Sequence, residues 1–418
     1  MKRFLLLLTL ICSLLTMRAE EYTSLTVDFP KVAAFSDEVG YGYDLKTSWD
    51  GKSTTPFFFS INVPDGNYRV TVTFGSKRRA AVTTLRCESR RLFVENLATK
   101  KGELETRTFV VNKRNRLFLD EKGNQQQVLT KPGEDLKLHW DDKLTIEVNG
   151  DAPAIQRIQI EKDDQVPTLY LLGNSTVVDQ SNEPWASWGQ MIPRFLNDSI
   201  AVANYAESGL AVATTLGQKR WAKVLSLLRP GDYVLLEFGH NDQKTDDRVG
   251  NGAYYAFSHQ VKEILDQTRL KGATFMLCTP TKRRHWQDGR VLDTHKDYPQ
   301  AIRDIAQREG VLCIDLQALT DRFYMAMGPE ESTKAFVHYP AGTWPGQDKA
   351  LADNTHFNPY GAYEIAKMVA HGLYHSGLGI AACVSPEVAD FDPSHPDPVD
   401  GFRWSPCPFV DMTKPDGN

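Results

Sequence analysis

Cysteine is scarce in this chain of 418 residues: there are six, at positions 12, 87, 278, 313, 383 and 407. No two stand as Cys-x-x-Cys and no His-rich spacing accompanies them, so neither a structural zinc nor another metal or cofactor is expected. Cys278 and Cys313 lie inside apolar runs and read as small buried hydrophobes. Cys383 and Cys407 are the candidate pair for a bridge. Excess positive charge is missing too. Lys and Arg number 48 against 53 Asp and Glu, a formal −5, which argues against nucleic acid or an anionic membrane as the main partner. Long apolar runs are confined to residues 4–15, behind Lys2-Arg3. That stretch is too short to span a bilayer, and Met17-Arg18-Ala19 resembles a small-residue cleavage site. A removed signal peptide is therefore expected over 1–19, with a secreted or periplasmic product; Leu10-Ile11 before Cys12 lacks the small residue that lipidation needs. Without the leader, 45 basic side chains face 53 acidic ones, or −8, and five cysteines remain, an odd number that leaves at least one thiol free or paired between molecules. Internal repeats and low-complexity tracts are absent, and no feature sets an oligomeric state.

Two rhythms fill the rest. Over 20–166, short runs rich in β-branched and aromatic residues (57–63, 68–75, 107–112, 116–120, 143–150 and 155–162) alternate with turn signals such as Pro64-Asp65-Gly66 and Pro132-Gly133. This predicts an all-β sandwich domain. After Pro167, apolar strands near 168–173, 199–204, 232–239, 273–280 and 311–316 alternate with helical segments near 186–196, 214–228, 253–271, 296–309 and 360–377. That alternation predicts an α/β domain over 167–378 with a parallel sheet covered on both faces. The Pro- and Asp-rich tail, 379–418, is expected to wrap over the surface. In a parallel sheet, ligands bind beyond the carboxyl ends of the strands, so the segments after each strand are the candidate site.

Four such segments carry chemistry. Gly173-Asn174-Ser175-Thr176 closes the first strand of the α/β unit and Ala206-Glu207-Ser208-Gly209 follows the second. Gly239-His240-Asn241-Asp242 closes the third, and Asp353-Asn354-Thr355-His356 precedes the last helix. Alone, each has a plain structural reading: a helix cap or anion-binding turn, a tight-turn glycine, a polar turn, an N-cap. In this order they resemble the SGNH (GDSL-type) hydrolases over about 168–376. The resemblance implies a flavodoxin-like three-layer α/β/α fold, with Ser175 as nucleophile, His356 as base and Asp353 as its orienting partner. It also implies an oxyanion hole from Ser175, Gly209 and Asn241. The chemistry is consistent: a serine hydroxyl needs an imidazole to accept its proton, and the carbonyl oxygen needs aimed N–H donors. No Gly-x-Ser-x-Gly elbow of the ordinary α/β-hydrolases is present. One departure stands out, since the family's Gly-Asp-Ser is Gly-Asn-Ser here.

The blocks Gly173–Val177, Trp185-x-x-Trp188-Gly189-Gln190, Phe238–Asp242 and Asp353-x-x-His356 are similar to those of the rhamnogalacturonan acetylesterase branch. A β-sandwich (galactose-binding-like) ahead of the catalytic unit is similar to pectin-acting bacterial members. The resemblance implies removal of O-acetyl groups from plant cell-wall polysaccharide. Arg283 and Arg284 are candidates to pair with uronate carboxylates; Trp286 and Trp344 are candidates to stack on sugar rings, and His240 to contact substrate. Each could equally be a solvated basic loop or packed aromatics. Trp185 and Trp188 read as core, as do Tyr41, Tyr43 and Trp49, although these three are also candidates for sugar contact by the sandwich. Two other readings stay open: an esterase for acetylxylan or other acyl-sugars, and a carbohydrate-binding protein with a degenerate hydrolase domain.

Overall fold

The computed structural model describes residues 24–245 and 252–416; the expected leader, 1–19, lies outside the described residues. The first third forms β1 Ser24–Asp28, β2 Tyr41–Asp44, β3 Phe57–Asn62, β4 Gly66–Phe74, β5 Ala81–Cys87, β6 Arg91–Thr99, β7 Glu105–Lys113, the small hairpin β8 Leu117–Leu119 with β9 Gln125–Gln127, β10 Lys143–Ala152 and β11 Ile155–Lys162. One layer runs β1-β11-β4-β7 and the facing layer β2-β3-β10-β5-β6. Strand β4 shows why. Tyr68, Val70, Val72 and Phe74 alternate with polar residues, and all four are fully buried against Phe57, Phe59, Ile146 and Val148 of the other layer. Tyr43 and Trp49 belong to this core, with Trp49 stacked on Phe57 at 5.4 Å; their burial removes both from sugar contact.

The parallel strands β12 Thr168–Gly173, β13 Ala201–Asn204, β14 Tyr233–Glu237, β15 Thr274–Cys278 and β18 Leu312–Ile314 stand in the order β13-β12-β14-β15-β18. The hairpin β16 Trp286–Gln287 with β17 Arg290–Val291 lies between them in sequence, and β19 Phe336–Tyr339 pairs with β20 Leu351–Phe357 before the last helix. Leu169, Leu171, Leu235 and Met276 pack one face of the parallel sheet against the helix Pro359–Tyr374. Leu172, Val234, Leu236 and Leu277 pack the other against the helices Arg220–Leu227, Ser258–Leu270 and Tyr298–Glu309. This is an SGNH-type α/β/α arrangement, and chain order reverses around β12, where such sheets open a crevice at their carboxyl ends.

Four findings depart from the sequence reading. The two halves share one sheet: β7 of the sandwich pairs in parallel with β13 through Val111 and Val202, making nine continuous strands. The run 311–316 stops as a strand at Ile314, because the Asp315 side chain accepts from Ala318 N and caps a helix, Leu316–Glu331. The tail is more than a surface wrap. Cys407 is 2% exposed, and Trp404 lies over the buried Arg86 guanidinium at 4.5 Å. Cys383 and Cys407 are both free thiols, so the candidate bridge is not formed.

Candidate active site

The turn after β12 answers to its composition. A side chain at Gly173 would stand 2.5 Å from Val177 Cγ2, so only glycine lets the chain fold back there. Asn174 Oδ1 then accepts from Thr176 N at 3.1 Å and from Thr176 Oγ1 at 2.9 Å, an Asx turn that sets Ser175 at its apex. The Ser175 carbonyl is held by Ser187 Oγ at 2.6 Å and Gln180 Nε2 at 3.1 Å. Asparagine thus makes the hydrogen bonds that an aspartate oxygen would make. It does so beside a buried acid: Thr176 Oγ1 also lies 2.9 Å from Glu237 Oε1. Burial pushes the Glu237 carboxyl up to about 7, against the hydrogen bonds from Trp188, Thr176 and the Thr281 N–H. A second carboxylate at 174 would share that hydroxyl with it.

Strand β20 carries the other two groups. His356 Nε2 stands 2.9 Å from Ser175 Oγ, and His356 Nδ1 stands 2.8 Å from Asp353 Oδ2. Asp353 Oδ1 accepts from the backbone N–H of Thr355 at 2.8 Å and of His356 at 3.0 Å. Burial alone would raise the Asp353 carboxyl. The His356 hydrogen bond and charge, with the two backbone donors, outweigh it and hold the group down at about 2. Trp185 meets the His356 ring edge-on at 5.9 Å, fixing its plane. The three residues are each 1–3% exposed, so the pair works in a medium of low dielectric.

Three groups are the expected oxyanion donors: the Ser175 and Gly209 N–H groups and the Asn241 amide. Gly209 has φ +75°, a left-handed conformation that suits glycine. Among the described residues, neither the Gly209 N–H nor the Ser175 N–H donates to a protein acceptor. Asn241 gives one of its amide hydrogens to Leu210 O at 3.0 Å and keeps the other. Asp242 ties the two loops together, accepting from Val212 N at 2.8 Å and Gly239 N at 2.9 Å.

The remaining sequence candidates are placed differently. His240 is a correction: it is 1% exposed, with Nε2 3.2 Å from Thr281 Oγ1 and Nδ1 3.0 Å from His295 Nε2, so it braces the site from beneath and does not face substrate. Burial, then Arg283 and Lys282, take His295 down to about 3, and burial with the His295 charge takes His240 well below its usual value. Arg283 donates to Thr294 Oγ1 and His240 O; Arg284 donates to Asn354 Oδ1, Ser332 Oγ and Pro329 O. Both guanidiniums are committed to the protein. Trp286 Nε1 donates to Ser332 Oγ at 3.2 Å, and Trp344 packs edge-on to Tyr339 at 5.7 Å.

The structure adds residues that local sequence did not reveal. Next to the triad, reached through Trp185 and Lys414, lies a cleft of about 400 Å³ between the sandwich loop at Lys131–Lys137, the segment Gln180–Trp185, Glu207-Ser208 and the tail at Asp411–Asp416. Lys414 Nζ lies 3.5 Å from Asp353 Oδ2, and Trp185 Nε1 donates to Asp411 O at 3.0 Å.

A family model described as "GDSL-like Lipase/Acylhydrolase family" matches residues 171–362. Rhamnogalacturonan acetylesterase RhgT of Bacillus subtilis is 36% identical over 213 residues, covering 50% of this chain and 90% of that protein. A rhamnogalacturonan acetylesterase of Emericella nidulans is 26% identical over 233 residues, 51% of this chain and 87% of its own. The crystal structure of YxiM from Bacillus subtilis superposes with a TM-score of 0.47 at 21% identity, covering 85% of this chain and 99% of that one. With its strand-end blocks, the family match and the 36% identity to an acetylesterase covered over 90% of its length, the chain belongs to the GDSL-like lipase/acylhydrolase family and is a carboxylic ester hydrolase.

Proposed function

We propose that this protein is a serine carbohydrate acetylesterase that removes O-acetyl groups from rhamnogalacturonan, the pectic polymer named for its relatives. One observation carries the catalytic part: Ser175 Oγ, His356 and Asp353 form an unbroken hydrogen-bonded chain. In the proposed reaction Ser175 Oγ attacks the acetyl carbonyl carbon while His356 Nε2 takes the hydroxyl proton. Asp353 holds the Nδ1–H and stabilises the imidazolium. The carbonyl oxygen, now negative, accepts from the Ser175 and Gly209 N–H groups and from the Asn241 amide; removing one such donor costs roughly 10²–10³ in rate. Collapse expels the sugar oxygen, which takes the proton from His356. Water, deprotonated by the same imidazole, then attacks the acetyl-serine and releases acetate.

The substrate part rests on the relatives' names. Acetate release from acetylated rhamnogalacturonan oligomers and from acetylxylan oligomers tests it. The expected result is a kcat/KM at least about tenfold higher on rhamnogalacturonan, the order of discrimination that one well-placed contact supplies. Equal or faster release from acetylxylan would overturn the pectin assignment while leaving ester hydrolysis standing.

A further inference from the structure

We infer that Lys131, from the sandwich loop, anchors a carboxylate subsite that takes the uronate of the sugar next to the acetylated one; this rests on the acetylesterase reading above. The site is already filled by a carboxylate. Asp416 Oδ2 stands 2.8 Å from Lys131 Nζ, and the same ammonium donates to Ser208 O, one residue before Gly209. A Cβ placed on Gly209 would meet Asp416 Cβ at 2.8 Å and Lys131 Nζ at 2.9 Å. The ion pair therefore sits directly against Gly209, the residue whose N–H the proposed reaction assigns to the carbonyl oxygen.

The ammonium is pre-positioned. Lys131 N donates to Glu134 Oε2 at 2.9 Å, and Glu134 is locked by Arg220 at 2.6 Å, a pair 0–2% exposed, and by Trp140 Nε1 at 3.0 Å. An ammonium on a rigid loop loses little freedom on binding an anion. Other cations face the same point. Hydrogen bonding and charge from Lys131, then the charges of Lys244 and Lys137, keep the Asp416 carboxyl below its usual range. Lys137 is itself neutralised by Glu207 at 2.6 Å and Lys414 lies 3.5 Å from Asp353, which leaves Lys131, with Lys244 behind it, as the cation for an incoming anion. Arg283 and Arg284, committed to protein acceptors, are not available for this role. Asp416 is the occupant in the free protein, an internal competitor that substrate displaces by trading one carboxylate for another.

The test compares variants on two substrates: an acetylated rhamnogalacturonan oligomer and the same oligomer with its carboxyls reduced to alcohols. For Lys131→Met, which keeps the apolar stem, the ratio of kcat/KM values (uronate over reduced) is expected to fall about tenfold, the effect of losing one charge-assisted hydrogen bond. For Asp416→Asn the same ratio is expected to rise. A ratio unmoved by Lys131→Met, or one lowered by Asp416→Asn, overturns the subsite. If neither oligomer is deacetylated while p-nitrophenyl acetate is, the pectin reading fails separately. The subsite is then read from inhibition of p-nitrophenyl acetate turnover by unacetylated oligogalacturonate: weaker inhibition of Lys131→Met and stronger inhibition of Asp416→Asn sustain it, and equal inhibition of all three proteins ends it.

Discussion

Asn174 and Glu237 meet on one hydroxyl, that of Thr176, directly behind Ser175. The asparagine is read best with its neighbour: in a fully buried spot, one carboxyl that protonates near neutrality is tolerable and two are not. The sign of the pH effect follows. The folded Glu237 pKa, about 7, is raised above the unfolded value of 4.5. Its stabilising contribution is therefore fully present below the unfolded value and is lost as pH rises through the folded one. The shift corresponds to about 3 kcal/mol. Glu237→Gln is expected to flatten the decline in melting temperature between about pH 5 and pH 8. Asn174→Asp is expected to steepen it, and Glu237→Gln in the Asn174→Asp background to restore the flatter curve. Thermal melts across pH check this; a wild-type-like slope in Glu237→Gln would refute the assignment of the titrating group.

At the level of elements, strand ends were legible and distant partnerships were not. Gly173-Asn174-Ser175, Gly209 and Gly239-His240-Asn241 could be placed because continuous apolar strands stop at residues with particular turn chemistry. Asp353 and His356 were read as a segment before a helix; the structure puts them on β20, whose β19 partner is short and broken by a register shift between Phe336 and His338. Strands β5 and β6 escaped notice because Arg86, Glu88, Arg90 and Arg91 look like a solvated turn. All four are buried. The helix Leu316–Glu331 was hidden by an apolar run that continues past Asp315. Lys131 carries no local signal at all, since its contacts lie 77 and 285 positions away. His240 looked like a site residue from its neighbours and proved to be a buried support.

Across the whole molecule, sandwich, sheet and tail are tied by buried charge. Glu183 stands 2.7 Å from Arg90 and 3.9 Å from Arg86, accepts from Trp404 Nε1 at 2.9 Å and Cys407 N at 3.0 Å, and is fully buried. Arg86 also pairs with Glu147 at 3.0 Å, and Arg91 with Asp179 at 3.4 Å. Removing one partner of such a network leaves an uncompensated buried charge, at a cost of roughly 3–5 kcal/mol. Glu183→Ala should accordingly lower the melting temperature sharply. With nine strands in one sheet, calorimetry of the wild type should show a single transition; two well-separated transitions would contradict the continuity of the sheet.

The central claim is that Ser175 Oγ, deprotonated by His356, attacks the ester. Acid quenching of wild-type protein during p-nitrophenyl acetate turnover, followed by peptide mass spectrometry, tests it most directly. The expected result is an acetyl group on the peptide that carries Ser175, trapped in the wild type and missing from Ser175→Ala and His356→Ala proteins of native fold. An acetyl group trapped on another residue, or undiminished acetate release by a folded Ser175→Ala protein, would contradict it.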